Sequence, residues 1–457
     1  MALDITCESE ISSLESLVSY FRTGCKTEND WRIGTEHEKF PFYINDFSSV
    51  PYEGMRGIRA LLEGMQEALG WEPISDKGNI IGLVGPAGHG AISLEPGGQF
   101  ELSGAPLKTV CHTYRELMKH LTLLKSIAEP LGIAFLGIGA SPKWTLAETS
   151  RMPKSRYKIM SNYMPKVGFN GLDMMYRTST IQVNLDFSSE TDMRRKMQVS
   201  MKLQPIVTAL FANSPFTEGR PNGLLSWRSE VWRYTDDQRS GILPFVFSES
   251  FGFEDYVEWA LDVPMYFVVR NGRYHDCTHM TFRQFMKGAL REKVENAEPN
   301  MGDWINHLST LFPEVRLKQF LEMRGADCGP LEHICALSAF WVGLLYDGEA
   351  LNEAEALTKD WRLEEVLHMR NCTPKEGLGT PFRKTTVLEL VRQALVISQK
   401  GLKNRRNRNT DGLDEAGFLK PLEEMVAMGQ TNADKLLSNY YSVWSESVEP
   451  VFLKYAY

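Results

Sequence analysis

No stretch of this sequence is long and apolar enough to cross a bilayer. The longest such run, Cys335 to Tyr346, falls well short of the ~20 residues that a spanning helix needs. The seven cysteines are odd in number and include no C-x-x-C pair, which argues against a disulfide scaffold and for a reducing compartment. Met1 to Glu15 is acidic and has no arginine, the first being Arg22, so neither a secretory leader nor a transit peptide is legible there. The expectation is a soluble, cytoplasmic protein, with a processed organellar form left open. Positive charge is also in deficit. A formal net charge of −8 argues against nonspecific nucleic-acid binding and leaves room only for a local basic pocket for a small anion. The basic run Lys403 to Arg408 follows a helical pattern and reads as a solvated loop. Gly82, Gly85, Gly88 and Gly90 lack the G-K-[ST] ending of a P-loop, so the segment is either a structural turn or a nucleotide-covering loop. His275, Cys277 and His279 fit no standard zinc spacing and lack a fourth ligand.

What the chain does contain is carboxylate in unusual places. Leu94-Glu95-Pro96-Gly97-Gly98-Gln99-Phe100-Glu101-Leu102 puts two glutamates around a Pro-Gly-Gly break, between apolar residues of strand character. Upstream, Glu36 and Glu38 are two apart in Arg32 to Phe40, so a strand points both at one face. Thr178 to Phe187 alternates cleanly: Ile181, Val183, Leu185 and Phe187 share one face, and Thr180, Gln182, Asn184 and Asp186 the other. An amide-rich polar face suits a sheet that lines a wet cavity. In Phe320 to Arg324, alternation sets Glu322 and Arg324 on one face.

Helical periods are expected over 11–21, 57–69, 107–128 and 191–211, and through most of the chain from about 331. Asn271-Gly272 predicts a hairpin, and Thr281 to Gln284 a capping box. Arg151 to Gly168 shows no clear period and reads as a basic functional loop. Strands and helices without a regular βαβ rhythm make an α+β fold with a mixed or antiparallel sheet, and 1–457 is read as one catalytic domain. On composition alone, Glu36, Glu38, Glu95, Glu101 and Glu322 are either a shared site for a hard cation or members of structural ion pairs. Arginines 156, 177, 228, 233, 239 and 324 are either their partners or anchors for substrate carboxylates and phosphates.

Gly34 to Phe40, Ser93 to Gly104, Met160 to Gly168, Thr180 to Ser188, Leu210 to Phe216 and Glu322 to Asp327 together resemble the glutamate–cysteine ligase family, in its plant and alphaproteobacterial branch. The resemblance runs from about Trp31 to Tyr457. It implies a fold like glutamine synthetase and the guanidino kinases, a curved, mainly antiparallel sheet forming a funnel with helices outside. It implies ATP as co-substrate, two or three Mg²⁺ ions, and the joining of the L-glutamate γ-carboxylate to the L-cysteine amine through γ-glutamyl phosphate. Under it, Glu36, Glu38, Glu95, Glu101, Gln182 and Glu322 would be metal ligands or near-ligands. Arg324 would face the transferring phosphoryl group, with Asn184 beside it at the nucleotide. Arg156, Arg177 and Arg228 would surround the amino-acid substrates. Glutathione feedback and the choice of monomer or homodimer stay open, and neither a nucleic acid nor a membrane is expected as a partner. Plant members of the family carry activity-switching disulfides. Cys277 and Cys335 match two of those positions, but Tyr114 stands where one partner would be and no cysteine lies between Arg291 and Met301. Cys111, a helical turn before Tyr114, is the only substitute.

Overall fold

The computed structural model describes residues 5, 7–295, 297–408, 412 and 414–457. The acidic Met1–Glu15 stretch read for targeting lies partly outside them. The organising strand is β1, Ile33–Tyr43, whose alternation turns Ile33, Thr35, His37 and Lys39 into the core and leaves Gly34, Glu36 and Glu38 on the opposite face. Eight further strands complete a nine-stranded sheet: β2 (Glu72–Asp76), β3 (Asn79–Val84), β4 (Ala91–Leu94), β5 (Phe100–Ser103), β6 (Ile133–Leu136), β7 (Thr180–Leu185), β8 (Val315–Leu317) and β9 (Leu321–Asp327). The spatial order is β8-β9-β7-β1-β5-β4-β3-β2, and β6 pairs with the second half of β1. Every pairing in this sheet is antiparallel. The expected α+β class with an antiparallel sheet is therefore the observed one.

Register decides what meets what. Glu38 stands opposite Glu101, and Glu36 lies between Ser103 on one side and Gln182 on the other. Glu322 of β9 faces Asn184 of β7 and Arg316 of β8. The β7–β9 pairing slips between Met323 and Ala326, an irregularity of the kind that re-aims side chains. Behind the sheet, Ile181, Val183 and Leu185 are fully buried, each contributing about 1.5–3 kcal/mol against exposure. They pack in one core with the long helix Glu190–Leu210 and the apolar Leu331–Leu345 helix. A second core joins Leu94, Phe100 and Leu102 to the Val110–Ala128 helix.

Most local expectations are met. Phe267–Arg270 and Arg273–Asp276 pair through Asn271-Gly272, both at positive φ, and Thr281 with Gln284 closes a capping box. The glycine-rich segment forms the β3–β4 hairpin. Beyond residue 331 the described chain is helical apart from one short two-stranded ribbon. Arg151 to Gly168 is the exception. Ser155–Val167 is a helix, with Pro165 in its last turn. Its buried face is Tyr157, Met160, Tyr163 and Met164, a helical spacing carried by tyrosine and methionine instead of leucine or valine, which is why an aliphatic pattern misses it. Among the described residues no single helix is long and apolar enough to span a membrane.

Candidate active site

The front face of the sheet opens into a pocket floored by Glu36, Glu38, Glu95, Glu101 and Gln182. Arg156 and Met160 of the Ser155–Val167 helix, with Met174 and Met175 of the Gly171–Arg177 helix, cover it from one side. From the other side come Arg228 and Trp232, at the two ends of the short helix Trp227–Trp232, with Phe312, Arg316 and Arg324. Residues of segments 36–38, 95–101, 156, 182, 228 and 324 thus line one pocket.

The turn that sets Glu95 against the strands depends on its glycines. A Cβ on Gly97 would lie 2.2 Å from the Tyr176 carbonyl, so no side chain fits there. Gln99 anchors the same turn, donating to the Thr178 carbonyl at 2.7 Å and accepting from Gly97 N–H at 2.9 Å. Glu36 accepts from the Asn184 amide at 2.9 Å, and Glu38 from Thr180 N–H at 3.1 Å. Glu101 accepts from the hydroxyls of Ser93 and Ser103.

Like charges crowd this floor. Burial, followed by the charges of Glu95 and Glu101, pushes the Glu38 carboxyl well above the usual range. Glu36 is raised by burial and then by Glu322 and Glu101, and Glu95 by burial and then by Glu101. Adjacent carboxylates that resist joint ionisation are stabilised by a cation between them. Among the described residues no group of three or more His, Cys, Asp or Glu side chains is placed to hold a metal ion by itself. The spread-out oxygen donors suit Mg²⁺, which takes one or two carboxylates and completes its shell with water and phosphate oxygens.

Glu322 is differently placed. It is fully buried and receives Arg316 in two-pronged fashion (2.6 and 3.2 Å), Lys318 at 2.8 Å, and the Arg324 guanidinium. Burial pushes its carboxyl up, but Arg316, Lys318 and Arg324 outweigh that and hold it well below the usual range. The expected metal ligand thus lies outside the pocket lining and pairs with the cationic wall in this structure. Arg324, which also donates to the Gln182 amide oxygen, lies over the Trp232 and Phe312 rings at 6.0 and 5.6 Å.

Arg177 is a second correction. It pairs with Asp173 at 2.6 Å and Glu218 at 2.8 Å, donates to the Trp144 carbonyl and stacks over Trp227, outside the pocket lining. Arg239 is a buried strut on Asp236, and Arg233 pairs with Glu230. Asn184 reaches the site only through Glu36. Arg316, Lys318, Trp232 and Phe312 carry no local pattern that marks them in the sequence. The only signal for the first two was their nearness to Glu322, which the β8–β9 hairpin turns into contact. His275, Cys277 and His279 belong to no metal-binding group among the described residues.

Buried carboxylates facing arginines on one side of an antiparallel sheet define an enzyme of small, charged substrates. The model of glutamate–cysteine ligase family 2 matches residues 32–454, and the chain belongs to that family. The chloroplastic glutamate–cysteine ligase of Arabidopsis thaliana is 54% identical over 443 residues, 97% of this chain and 83% of that protein. Its counterpart in Nicotiana tabacum is 52% identical over 454 residues, 99% of this chain and 85% of that protein. Among solved structures, the glutamate–cysteine ligase of Francisella tularensis in complex with AMP aligns with a TM-score of 0.54 at 10% identity. The alignment covers 90% of this chain and 85% of that one, a likeness of fold alone. The cytoplasmic assignment is overturned by the Arabidopsis and Nicotiana relatives, which are chloroplastic proteins.

Proposed function

We propose that this enzyme joins the γ-carboxylate of L-glutamate to the amine of L-cysteine at the expense of ATP, the first step of glutathione biosynthesis. Membership of the glutamate–cysteine ligase family supports the reading. The observation that carries it is the floor of Glu36, Glu38, Glu95 and Glu101 facing Arg156, Arg228 and Arg324 in one pocket. A carboxylate is a poor acyl donor, and phosphorylation equips it with a leaving group. The γ-carboxylate oxygen of glutamate attacks the γ-phosphorus of ATP, and ADP departs. The cysteine amine then attacks the acyl carbon of γ-glutamyl phosphate, and inorganic phosphate leaves as the amine gives up a proton.

The residues divide this work by charge. Glu36, Glu38, Glu95 and Glu101 would hold Mg²⁺, which supplies charge neutralisation on the phosphate oxygens. Gln182 keeps its amide oxygen on Arg324. Arg324, aimed by Glu322 and the Trp232 and Phe312 rings, faces the phosphoryl group in transfer. Arg156 and Arg228 grip substrate carboxylates. Met160, Met174 and Met175 cover the pocket and exclude water that would hydrolyse the acyl phosphate. The whole chain acts as a single catalytic domain in this reading.

The test is ADP release by purified protein with Mg²⁺, glutamate and a panel of amines. Release should require glutamate and be greatest with cysteine. Equal turnover with 2-aminobutyrate or other amines would assign a different γ-glutamyl ligase. Phosphate release without any amine would assign a hydrolase.

A further inference from the structure

Asp327 ends β9 and is fully enclosed, 2% exposed, yet it belongs to neither the carboxylate floor nor the cationic wall. One of its oxygens accepts from Asn213 N–H at 2.9 Å and from the Ser214 hydroxyl at 2.6 Å. The other accepts from the Ser226 hydroxyl at 2.8 Å. Each serine passes the connection on. Ser214 Oγ accepts from Arg228 N–H at 3.1 Å, and Ser226 Oγ from Ser229 N–H at 3.2 Å as the N-cap of the Trp227–Trp232 helix. That helix carries Arg228 and Trp232 into the pocket, and Arg228 Nη2 donates to the Arg324 carbonyl at 3.0 Å. Gly139 must stay bare for this to form, since a Cβ there would lie 2.4 Å from the Asp327 carboxyl carbon.

We infer that Asp327 is a positioning residue for the ligase reaction, setting Arg228 and Trp232 against Arg324 through the paired hydroxyls of Ser214 and Ser226. The inference rests on the proposed function, which makes Arg228 a substrate anchor. The chemistry favours this over passive packing. Burial pushes the Asp327 carboxyl up, and Arg228 and the hydrogen bonds only partly offset it. A buried carboxylate is costly, and an apolar residue would fill the space more cheaply. Its donors Asn213 N–H, Ser214 Oγ and Ser226 Oγ, moreover, lie in the two segments, 213–214 and 226–229, that hold the backbone of Arg228.

The experiment compares steady-state constants for glutamate, cysteine and ATP in wild type, Arg228→Lys, Ser226→Ala, Asp327→Asn and the Arg228→Lys/Ser226→Ala double variant, with melting temperature for each. Arg228→Lys identifies the substrate that Arg228 holds. Ser226→Ala and Asp327→Asn should raise KM for that same substrate, by roughly 5–30-fold for one or two kcal/mol of lost alignment, and leave the other KM values within twofold. The double variant should show little more than the larger single effect, because both changes spoil one contact. Ser226→Ala keeps the buried carboxylate on its other donors, so it reports even where Asp327→Asn folds poorly. If Arg228→Lys raises a KM that neither Ser226→Ala nor Asp327→Asn follows, Asp327 is not a positioning residue and the ligase reading stands. If Arg228→Lys raises no KM, the anchor role of Arg228 falls and takes the inference with it. A lower melting temperature with unchanged constants per folded molecule would make the network purely structural and overturn the proposal.

Discussion

Glu322→Gln separates a metal ligand from a counter-ion. The change keeps the shape of the side chain and removes one charge from a fully buried site that holds Arg316, Lys318 and Arg324. Breaking a buried ion pair from one side costs about 3–5 kcal/mol, because the remaining charges stay uncompensated. Unfolding entropy of about 2.1 cal/mol/K per residue over 457 residues is about 1 kcal/mol/K. The melting temperature should therefore fall by about 3–5 °C. The pH dependence has a defined sign. The folded carboxyl is held well below its ordinary value, so the unfolded chain binds the extra proton first as pH falls. The stability from Glu322 is complete above the ordinary carboxylate range and is lost as pH drops through the depressed folded value. The gap in melting temperature between wild type and variant should thus be constant from neutral pH down to about 5 and shrink below that. Differential scanning calorimetry across pH measures the gap, and an Mg²⁺ titration of activity gives the second readout. A counter-ion leaves the half-saturating Mg²⁺ concentration of the residual activity within about twofold, whereas a lost ligand raises it about tenfold or more. An unchanged melting temperature together with a large rise in that Mg²⁺ requirement would refute the counter-ion role.

Glu38→Gln should do the reverse in the metal-free protein. Its raised folded value means that ionising Glu38 destabilises the fold as pH rises, so the variant should melt higher than wild type at pH 8 without Mg²⁺ while turnover collapses. Wild-type turnover at limiting Mg²⁺ in Glu36→Gln, Glu38→Gln and Glu101→Gln alike would place the metal elsewhere. Arg324→Lys retains charge but loses the planar fork, so kcat should drop by about 10–100-fold with smaller changes in KM; a change confined to the KM for cysteine would move Arg324 to the acceptor side. Activity should be equal in reductant and mild oxidant. Burial pushes the thiols of Cys277 and Cys335 up to about 12, leaving little thiolate at neutral pH to begin exchange. Cys111 and Cys335 are both free and buried. A reductant-reversible loss of activity that vanishes in Cys335→Ser would reveal a bridge between them.

Period-two alternation is a local property, and what it implies was legible. Glu36 with Glu38, and Gln182 with Asn184, had to share faces of their strands, and the Pro-Gly-Gly break had to turn the chain between Glu95 and Glu101. The hairpin at Asn271-Gly272 and the cap at Thr281 are equally local and equally visible. Local rules fail where a residue's partner lies far along the chain. Glu322 and Arg324 share a strand, but Arg316 of the neighbouring strand and Lys318 of the connecting turn reach Glu322 and pair with it. Arg177 closely precedes a strand of the site, yet Asp173 and Glu218 draw it outward. The Ser155–Val167 helix buries tyrosine and methionine because it covers a pocket whose floor comes from three other segments. Sequence alone determined which side chains point together and which carboxylates stand in apolar strands. Only the tertiary structure decided which charges meet, because strand register and the choice of ion-pair partner depend on residues that are distant in the chain and adjacent in space.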